Sequence, residues 1–316
     1  MNCVITGISG FVGSHLAEYL LSKNFNVYGT FRKTDYLDNI AAIKNKLGLF
    51  EADILDKKKI NEFISKITPT YVFHLAAQAS VAVSIRQPQE TKQVNVGGTR
   101  NVLEAVRQTG KNSKVLIIGS ADEYGLVKSE DMPIKESHEL NPQNPYAESK
   151  KEAELLAIEY YQKSSLKVIL TRSFNHTGPR QSPSAVCADW SKQIAEIEKK
   201  KKAPIISVGN LNVKRDFTDV RDVVAAYLLL MEKGESGGIY NVCSATGYDL
   251  HFILETLLGL SNVSIEYKVD SAKFRETDTP VYIGDNSKIS ALGWKPTINI
   301  KDTLNDTLDY WRRQIK

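Results

Sequence analysis

Cysteine is scarce in this chain of 316 residues, and the three thiols present, Cys3, Cys187 and Cys243, lie far apart. That spacing offers neither a disulfide framework nor a zinc-ligand cluster; reduced side chains used for packing are expected, and no metal site. Long apolar runs are missing too. No stretch approaches the roughly 20 apolar residues that a helical bilayer span requires, which excludes such a span. The opening residues Met1-Asn2-Cys3-Val4-Ile5-Thr6 enter a strand pattern at once. They lack the basic region, apolar core and small-residue cleavage site of a secretory signal, so a cytoplasmic location is expected. Charge of one sign is not in excess, the formal net charge being +4. The densest basic run, Lys199-Lys200-Lys201-Lys202, closes a predicted helix, where cations complement the helix dipole and face water. Neither a nucleic-acid partner nor a membrane partner is expected, and no internal repeat or low-complexity segment is visible.

What is present is a globular composition, 42% hydrophobic and 25% charged, in a chain longer than one hydrophobic core usually serves. A main domain with a smaller partner is expected. The first half alternates short apolar runs with amphipathic stretches, the pattern of strand-helix-strand units and a parallel sheet. Strands are predicted at Asn2–Thr6, Asn26–Thr30, Leu47–Ala52, Tyr71–Ala76, Lys114–Ser120 and Lys167–Ser173. A helix is predicted over Thr91–Gln108, where Val94, Gly98, Asn101, Val102, Ala105 and Val106 recur at helical spacing. Another starts at Tyr146, with Asn144 suited to its cap and Pro145 to its first position. After Ser173 the rhythm gives way to loops rich in Pro, Gly, Ser and Asn. A helix resumes near Asp219–Lys233, and Gly238–Val242 reads as a buried strand that rejoins the sheet. The fold class is therefore α/β, a doubly wound parallel sheet with a smaller, discontinuous C-terminal domain. Residues 1–173 and 213–243 form the nucleotide-binding part, and residues 174–212 and 244–316 the substrate-binding part.

Between the first strand and its helix, Thr6-Gly7-Ile8-Ser9-Gly10-Phe11-Val12-Gly13 spaces three glycines as G-x-x-G-x-x-G. Glycine admits close backbone approach, so a pyrophosphate can rest on amides at the positive helix end; Gly7, Ser9, Gly10, Phe11, Val12 and Gly13 are candidate dinucleotide contacts. After the second strand a carboxylate usually accepts the adenosine ribose hydroxyls. Here the chain reads Gly29-Thr30-Phe31-Arg32-Lys33, so Thr30 and Arg32 favour NADP(H), with NAD(H) the alternative. Arg32 and Lys33 can equally be solvated loop charges. Asp53, followed by Ile54, can accept from the adenine amino group or merely cap a turn. Leu75-Ala76-Ala77 supplies small side chains where backbone passes near a cofactor. Asn95 lies inside a predicted helix although Asn is a poor helix former, and an inward amide there could support the site from behind.

Tyr146 and Lys150 stand one helical turn apart on the same face of a helix amino terminus. A nearby ammonium and the helix dipole favour tyrosinate, which is expected to let Tyr146 exchange a proton near neutral pH. Ser120, ending the fifth strand, can donate to the same substrate oxygen.

Several segments together carry a family resemblance. They are Thr6 to Leu16, His74-Leu75-Ala76-Ala77-Gln78, Gly119-Ser120-Ala121-Asp122-Glu123-Tyr124-Gly125 and Tyr146 to Lys150. With them go Phe174-Asn175-His176-Thr177-Gly178-Pro179, Arg215-Asp216-Phe217-Thr218-Asp219-Val220 and Gly284-Asp285-Asn286-Ser287-Lys288. Nearly end to end the chain resembles an extended short-chain dehydrogenase, most of all the GDP-4-dehydro-6-deoxymannose reductases, sisters of the GDP-mannose dehydratases. The resemblance implies a Rossmann fold and a catalytic triad of Ser120, Tyr146 and Lys150, with Lys150 and Tyr146 also contacting the cofactor. It implies that Asn175, Lys192, Arg215 and Arg275 hold a nucleotide diphosphate, and that Gln78 and Ser120 touch substrate. Arg180 stands where the reductases often have Gly, as a further phosphate contact or a surface charge. Ser173 and Glu276 replace usual prolines. The implied reaction is reduction of the C4 ketone of a GDP-linked 4-keto-6-deoxyhexose to GDP-D-rhamnose, for surface polysaccharide. The implied assembly is a homodimer built on the helices Thr91–Gln108 and Pro145–Lys163. The alternatives are a 4,6-dehydratase or epimerase, in which Asp122 serves as acid-base carboxylate, and a non-catalytic dinucleotide sensor.

Overall fold

The computed structural model describes residues 1–109, 112–274 and 279–316. In chain order its strands are β1 (Asn2–Thr6), β2 (Asn26–Phe31), β3 (Gly48–Glu51), β4 (Tyr71–His74), β5 (Lys114–Ser120), β6 (Lys167–Ser173), β7 (Asn175–Thr177), β8 (Ile205–Val208), β9 (Lys214–Asp219), β10 (Ile239–Val242), β11 (Gly247–Asp249), β12 (Glu266–Val269) and β13 (Val281–Tyr282). The large sheet has the order β10-β6-β5-β4-β1-β2-β3, and every pairing in it is parallel. Parallel strands covered on both faces read as continuous apolar runs, which is how Val115 to Ile118 and Val168 to Leu170 stand in the sequence.

Two cores sandwich this sheet. On one face Cys3, Ile5 and Leu116 pack with Leu16 and Leu20 of the helix Phe11–Ser22 and Val223, Tyr227 and Leu230 of the helix Val220–Lys233. On the other, Val4, Val115 and Ile117 meet Ile60 and Phe63 of Lys57–Ile67, Val102 and Val106 of Gly98–Thr109, and Leu156 of Pro145–Ser164. Neighbours along one strand thus serve opposite cores, as the period of two requires.

Strand order reverses at β1, which lies between β2 and β4, and Thr6 stands level with Thr30 on one side and His74 on the other. In open α/β sheets the crevice at that reversal, beyond the carboxyl ends of the strands, is where ligands bind.

The remaining strands build a second unit. β9 pairs with β7, β11 and β13, β8 pairs with β12, and a third core joins Trp190 and Ile194, Ile253 and Leu257, and Leu304 and Leu308 from three helices. The expected return to the large sheet at residue 213 comes later: Lys214–Asp219 belongs to the second sheet, and its Phe217 lies in the third core. Ile289 and Trp294, expected in the smaller part, pack into the first core. The span after Ser173 holds the helix Val186–Glu198, which the basic run was expected to close, and two strands where loops were expected.

The helix expected over Thr91–Gln108 is composite. It runs from Pro88–Lys92 through a π-helical turn, Gln93–Gly97, into Gly98–Thr109. Gly98 fits there because any Cβ would collide with Ile54. All three thiols are buried and unbridged, and burial pushes Cys3 and Cys187 up to about 12. Among the described residues no helix is long and apolar enough to cross a membrane.

Candidate active site

The crevice at the strand reversal is floored by a hydrogen-bonded chain. The Ala76 amide donates to Thr6 Oγ1 over 3.1 Å, and that hydroxyl lies 2.8 Å from His74 Nδ1. The other ring nitrogen lies 3.0 Å from Thr99 Oγ1, which donates its own proton to the Asn95 carbonyl. Thr99 having spent its proton, His74 must donate from Nε2 and accept at Nδ1. Burial, helped by the charge of Lys150, pushes His74 down to about 3, so the ring is a neutral spacer.

The glycine turn sits on this floor. The Gly7 and Ile8 amides both donate to the Thr30 carbonyl, at 3.1 and 3.2 Å, and Gly7 has φ +73°, beside the Ala76 backbone. A Cβ on Gly13 would collide with the Gly7 carbonyl. The helix Phe11–Ser22 then begins at Gly10 with no side-chain cap, leaving its first amides for a ligand. Gly7, Ser9, Gly10, Phe11, Val12 and Gly13 thus form a cradle that fits a pyrophosphate.

At the end of β2 the sequence reading needs correction. Asp35 folds back so that its carboxylate accepts from the Arg32 amide (2.8 Å) and Nε (3.1 Å), with Nη2 3.0 Å away. The loop therefore carries an acid three residues downstream of the cation, and Arg32 is neither isolated nor buried, being 60% exposed. Asp53 caps its own turn by accepting from the Leu55 amide, the plainer of its two readings. Ile54 turns its side chain into the second core, so anything it offers a cofactor is backbone.

Catalytic candidates converge at the ends of β5 and the start of the helix Pro145–Ser164. Asn144 caps that helix by accepting from the Ala147 amide, and Pro145 occupies its first position. Tyr146 and Lys150 project from one face, the Lys150 Nζ lying 6.0 Å from the Tyr146 ring centre and donating to the Ile118 carbonyl over 2.7 Å. Ser120 is near enough to the Tyr146 phenol to ease its ionisation. The Ser120 hydroxyl also accepts from the Asp122 amide, and the Glu123 carboxylate accepts from the Ser120 amide, which closes a capping box around the serine.

The tyrosinate expectation fails here. Burial first, then the carboxylate of Asp122, push the Tyr146 phenol well above its ordinary value, and Ser120 only partly offsets them. The same burial lowers Lys150 to about 8, with Glu123 pulling the other way. Tyr146 is therefore a neutral phenol, the form required of a proton donor.

Behind the pair, Asn95 does the work left open for it. Its Oδ1 accepts from the Gln78 amide (2.8 Å), while Nδ2 donates to the Gln78 carbonyl (3.0 Å) and to Ser149 Oγ (2.9 Å). The loop of Leu75, Ala76, Ala77 and Gln78 is thereby tied to the catalytic helix. The Gln78 side chain is spent locally, its amide donating to the Ser80 carbonyl and Thr91 Oγ1, contrary to the expected substrate contact.

Arg180 is neither a phosphate contact nor a surface charge. Its guanidinium grips Glu18 through two bonds of 2.8 and 2.7 Å and donates to the Asn39 carbonyl and to His15 Nδ1. His15 in turn contacts the Pro179 carbonyl through Nε2. Arg180 adopts φ +73°, which explains why glycine serves at such a position. Asn175 is exposed on β7. Lys192 lies 3.6 Å from Glu196 and over the Trp311 ring, and Arg215 donates to the Lys214 and Thr279 carbonyls. Arg275 lies outside the described residues.

Residues 4–307 match the family described as GDP-mannose 4,6 dehydratase. The chain belongs to this family. Within it, the chain is 35% identical over 313 residues to the GDP-6-deoxy-D-mannose reductase of Pseudomonas aeruginosa, covering 99% of this chain and 97% of that one. The structure of RMD from Pseudomonas aeruginosa complexed with NADPH matches with a TM-score of 0.87 at 34% identity, over 99% of each chain. The Thermus thermophilus UDP-glucose 4-epimerase in complex with NAD matches with a TM-score of 0.88 at 29% identity, again over 99% of each. Resemblance and comparison agree on an extended short-chain dehydrogenase with a Rossmann-type α/β fold.

Sequence reasoning missed Glu123, the Glu154–Arg172 pair and Asp35. For Glu123 a signal existed, a second acid in Asp122-Glu123 just after the candidate serine Ser120. For Glu154 and Arg172, 18 residues apart on a helix and a strand, none did.

Proposed function

We propose that the protein reduces the C4 ketone of a GDP-linked 4-keto-6-deoxyhexose, giving a GDP-6-deoxyhexose such as GDP-D-rhamnose. The observation that carries this reading is the convergence of Ser120, at the carboxyl end of β5, with Tyr146 and Lys150 on one face of the helix start, the Lys150 Nζ 6.0 Å from the Tyr146 ring centre, beside a glycine cradle. Bound NADPH supplies the hydride. Tyr146 donates the proton to the ketone oxygen, Ser120 donates a hydrogen bond to the same oxygen, and Lys150 holds the nicotinamide ribose. Gly7 to Gly13, Thr30 and the backbone at Ile54 and Leu75 to Ala77 hold the dinucleotide. Arg32 faces a 2'-phosphate in exchange for Asp35, so NADPH is favoured and NADH tolerated. Asn175, Lys192, Arg215 and Arg275 meet the nucleotide diphosphate, for which Arg forks are suited. The reductase relative and the NADPH-bound neighbour support this assignment.

A dehydratase is the second reading, because the Asp122 carboxylate is close enough to raise the Tyr146 phenol. Against it, Asp122 is one methylene shorter than Glu, and Ala121 brings no second acid; its carbonyl instead accepts from Tyr282. Purified protein given GDP-mannose alone should yield no 4-keto sugar, whereas the supplied 4-keto-6-deoxy intermediate should consume NADPH stoichiometrically, with kcat/KM lower for NADH. Accumulation of the 4-keto sugar without added NADPH refutes the reductase and makes Asp122 the base.

We also propose a cytoplasmic homodimer. Of the apolar residues expected at its helix pairing, Val102, Leu103, Val106 and Leu156 are core and Ile158 packs partly buried against it, while Leu155 is 53% exposed.

A further inference from the structure

The helix Phe11–Ser22 turns one stripe towards the second unit. Phe11, His15 and Glu18 follow one another at helical spacing, so they lie on a single face that begins inside the glycine cradle. The Phe11 ring stacks on His176 of β7, with centres 6.0 Å apart and planes 13° off parallel. His15 is held from both sides by consecutive residues: its Nδ1 accepts from Arg180 Nη2 over 2.7 Å, and its Nε2 donates to the Pro179 carbonyl over 2.9 Å. Burial, then the charge of Arg180, bring His15 down to about 4, so the ring is neutral and can do both. Glu18 takes the rest of the guanidinium through bonds of 2.8 and 2.7 Å.

A third segment is caught in the same grip. Arg180 Nη1 donates to the Asn39 carbonyl over 3.0 Å, and the Asn39 side-chain amide donates over 3.0 Å to the Ser9 carbonyl, back in the cradle. Two of the cradle residues are thus joined to the turn after β7, Ser9 through Asn39 and Arg180, and Phe11 through His176. On β7, Asn175 stands immediately before His176. Arg180 is only 13% exposed and holds φ +73°, a conformation that a side chain keeps only where its surroundings over-determine it.

We propose that Arg180 is a positioning residue that latches β7 onto the cofactor helix, so that a dinucleotide seated on Ser9 and Phe11 also fixes the strand carrying Asn175. A ligand that immobilises the cradle removes freedom from whatever is rigidly fastened to it, and a second ligand then meets a segment already ordered. The fork of the guanidinium is what the latch requires, since the single ammonium of a lysine does not present donors to Glu18, His15 and Asn39 in that fixed plane.

This inference rests on the reading of the glycine turn as the dinucleotide cradle and of Asn175 as a substrate contact, and its deciding test uses NADPH alone. Hydrogen exchange of residues 174–181 is followed by mass spectrometry with and without NADPH. In wild type the cofactor should slow exchange there as well as in residues 7–13, by a factor on the order of 5 to 150, the span of ordinary coupling between sites. Arg180→Gly suits the backbone at this position and removes the guanidinium. In that variant NADPH should still protect residues 7–13, while residues 174–181 exchange alike with and without it. KM for the 4-keto sugar should rise, whereas NADPH affinity should not fall, because ordering β7 is no longer part of cofactor binding. Glu18→Gln, which loosens the grip and keeps the arginine, should show the same pattern in smaller measure and decides the matter should the glycine variant not fold. Undiminished protection of residues 174–181 in either folded variant, or its absence in wild type, overturns the proposal. So does a loss of NADPH affinity that parallels the rise in KM, the mark of a residue that only supports the fold. A protein that leaves every 4-keto sugar unreduced yet shows the exchange pattern refutes the reductase and leaves the latch standing; reduction without the pattern does the reverse.

Discussion

Tyr146→Phe should leave the fold and NADPH affinity nearly intact and lower kcat by about two to four powers of ten, the usual worth of a positioned proton donor. The ring stays half-buried and continues to pack; only the phenolic hydroxyl is lost. Because burial and Asp122 hold that phenol well above its ordinary value, it is protonated across the neutral and mildly alkaline range. A donor that loses its proton only at very high pH gives a reduction rate that does not decline through its own titration. Any alkaline decline in wild type then belongs to Lys150, brought down to about 8. Single-turnover NADPH oxidation across pH, beside cofactor titration of the variant, checks both points. Normal turnover by the Phe variant would make Tyr146 a packing residue and remove the mechanism.

How much of this was legible in the sequence follows from which interactions are local. β1, β5 and β6 fall where the apolar runs place them, and the Asn144 cap and the spacing of Tyr146 from Lys150 are helix geometry within one turn. The glycine turn is local at Gly13, which answers to the Gly7 carbonyl, whereas Gly7 lies against the backbone of Ala76 on another loop. Prediction failed where partners are distant in sequence. Arg180 reads as a free cation until Glu18, 162 residues away, closes on it. Gln78 fails for another reason: its amide is taken nearby, by the Ser80 carbonyl and Thr91 Oγ1, and residue type alone does not show which way an amide turns. The Tyr146 ionisation went the wrong way because the helix dipole and the nearby lysine were weighed without burial, which here outweighs every other influence on the phenol. Residues 214–219 were placed in the nucleotide-binding part because their mixture of charged and apolar residues says nothing about partners; as a strand they pair instead with β7, β11 and β13, all short.

The buried Glu154–Arg172 pair gives the largest expected effect on stability. Both side chains are nearly sealed, at 3% and 5% exposure, and the guanidinium also donates to the Glu136 carbonyl and lies 4.9 Å from the centre of the Tyr124 ring. Removing one partner strands the other as an uncompensated buried charge, which costs about 3–5 kcal/mol, whereas replacing both by apolar groups is often nearly neutral. Glu154→Ala should therefore lower the urea midpoint by an amount in that range with the slope unchanged, and Glu154→Leu combined with Arg172→Met should recover most of the loss. The single variant has one route of relief. Glu154 is among the influences raising Glu123, so without it Glu123 ionises more readily and can balance part of the Arg172 charge. The loss should accordingly be greatest at low pH, where Glu123 stays protonated, and shrink as pH rises through its titration. A loss below about 1 kcal/mol at every pH, the scale of an exposed ion pair, would mean that water reaches Arg172 and that the pair is not sealed behind the catalytic helix.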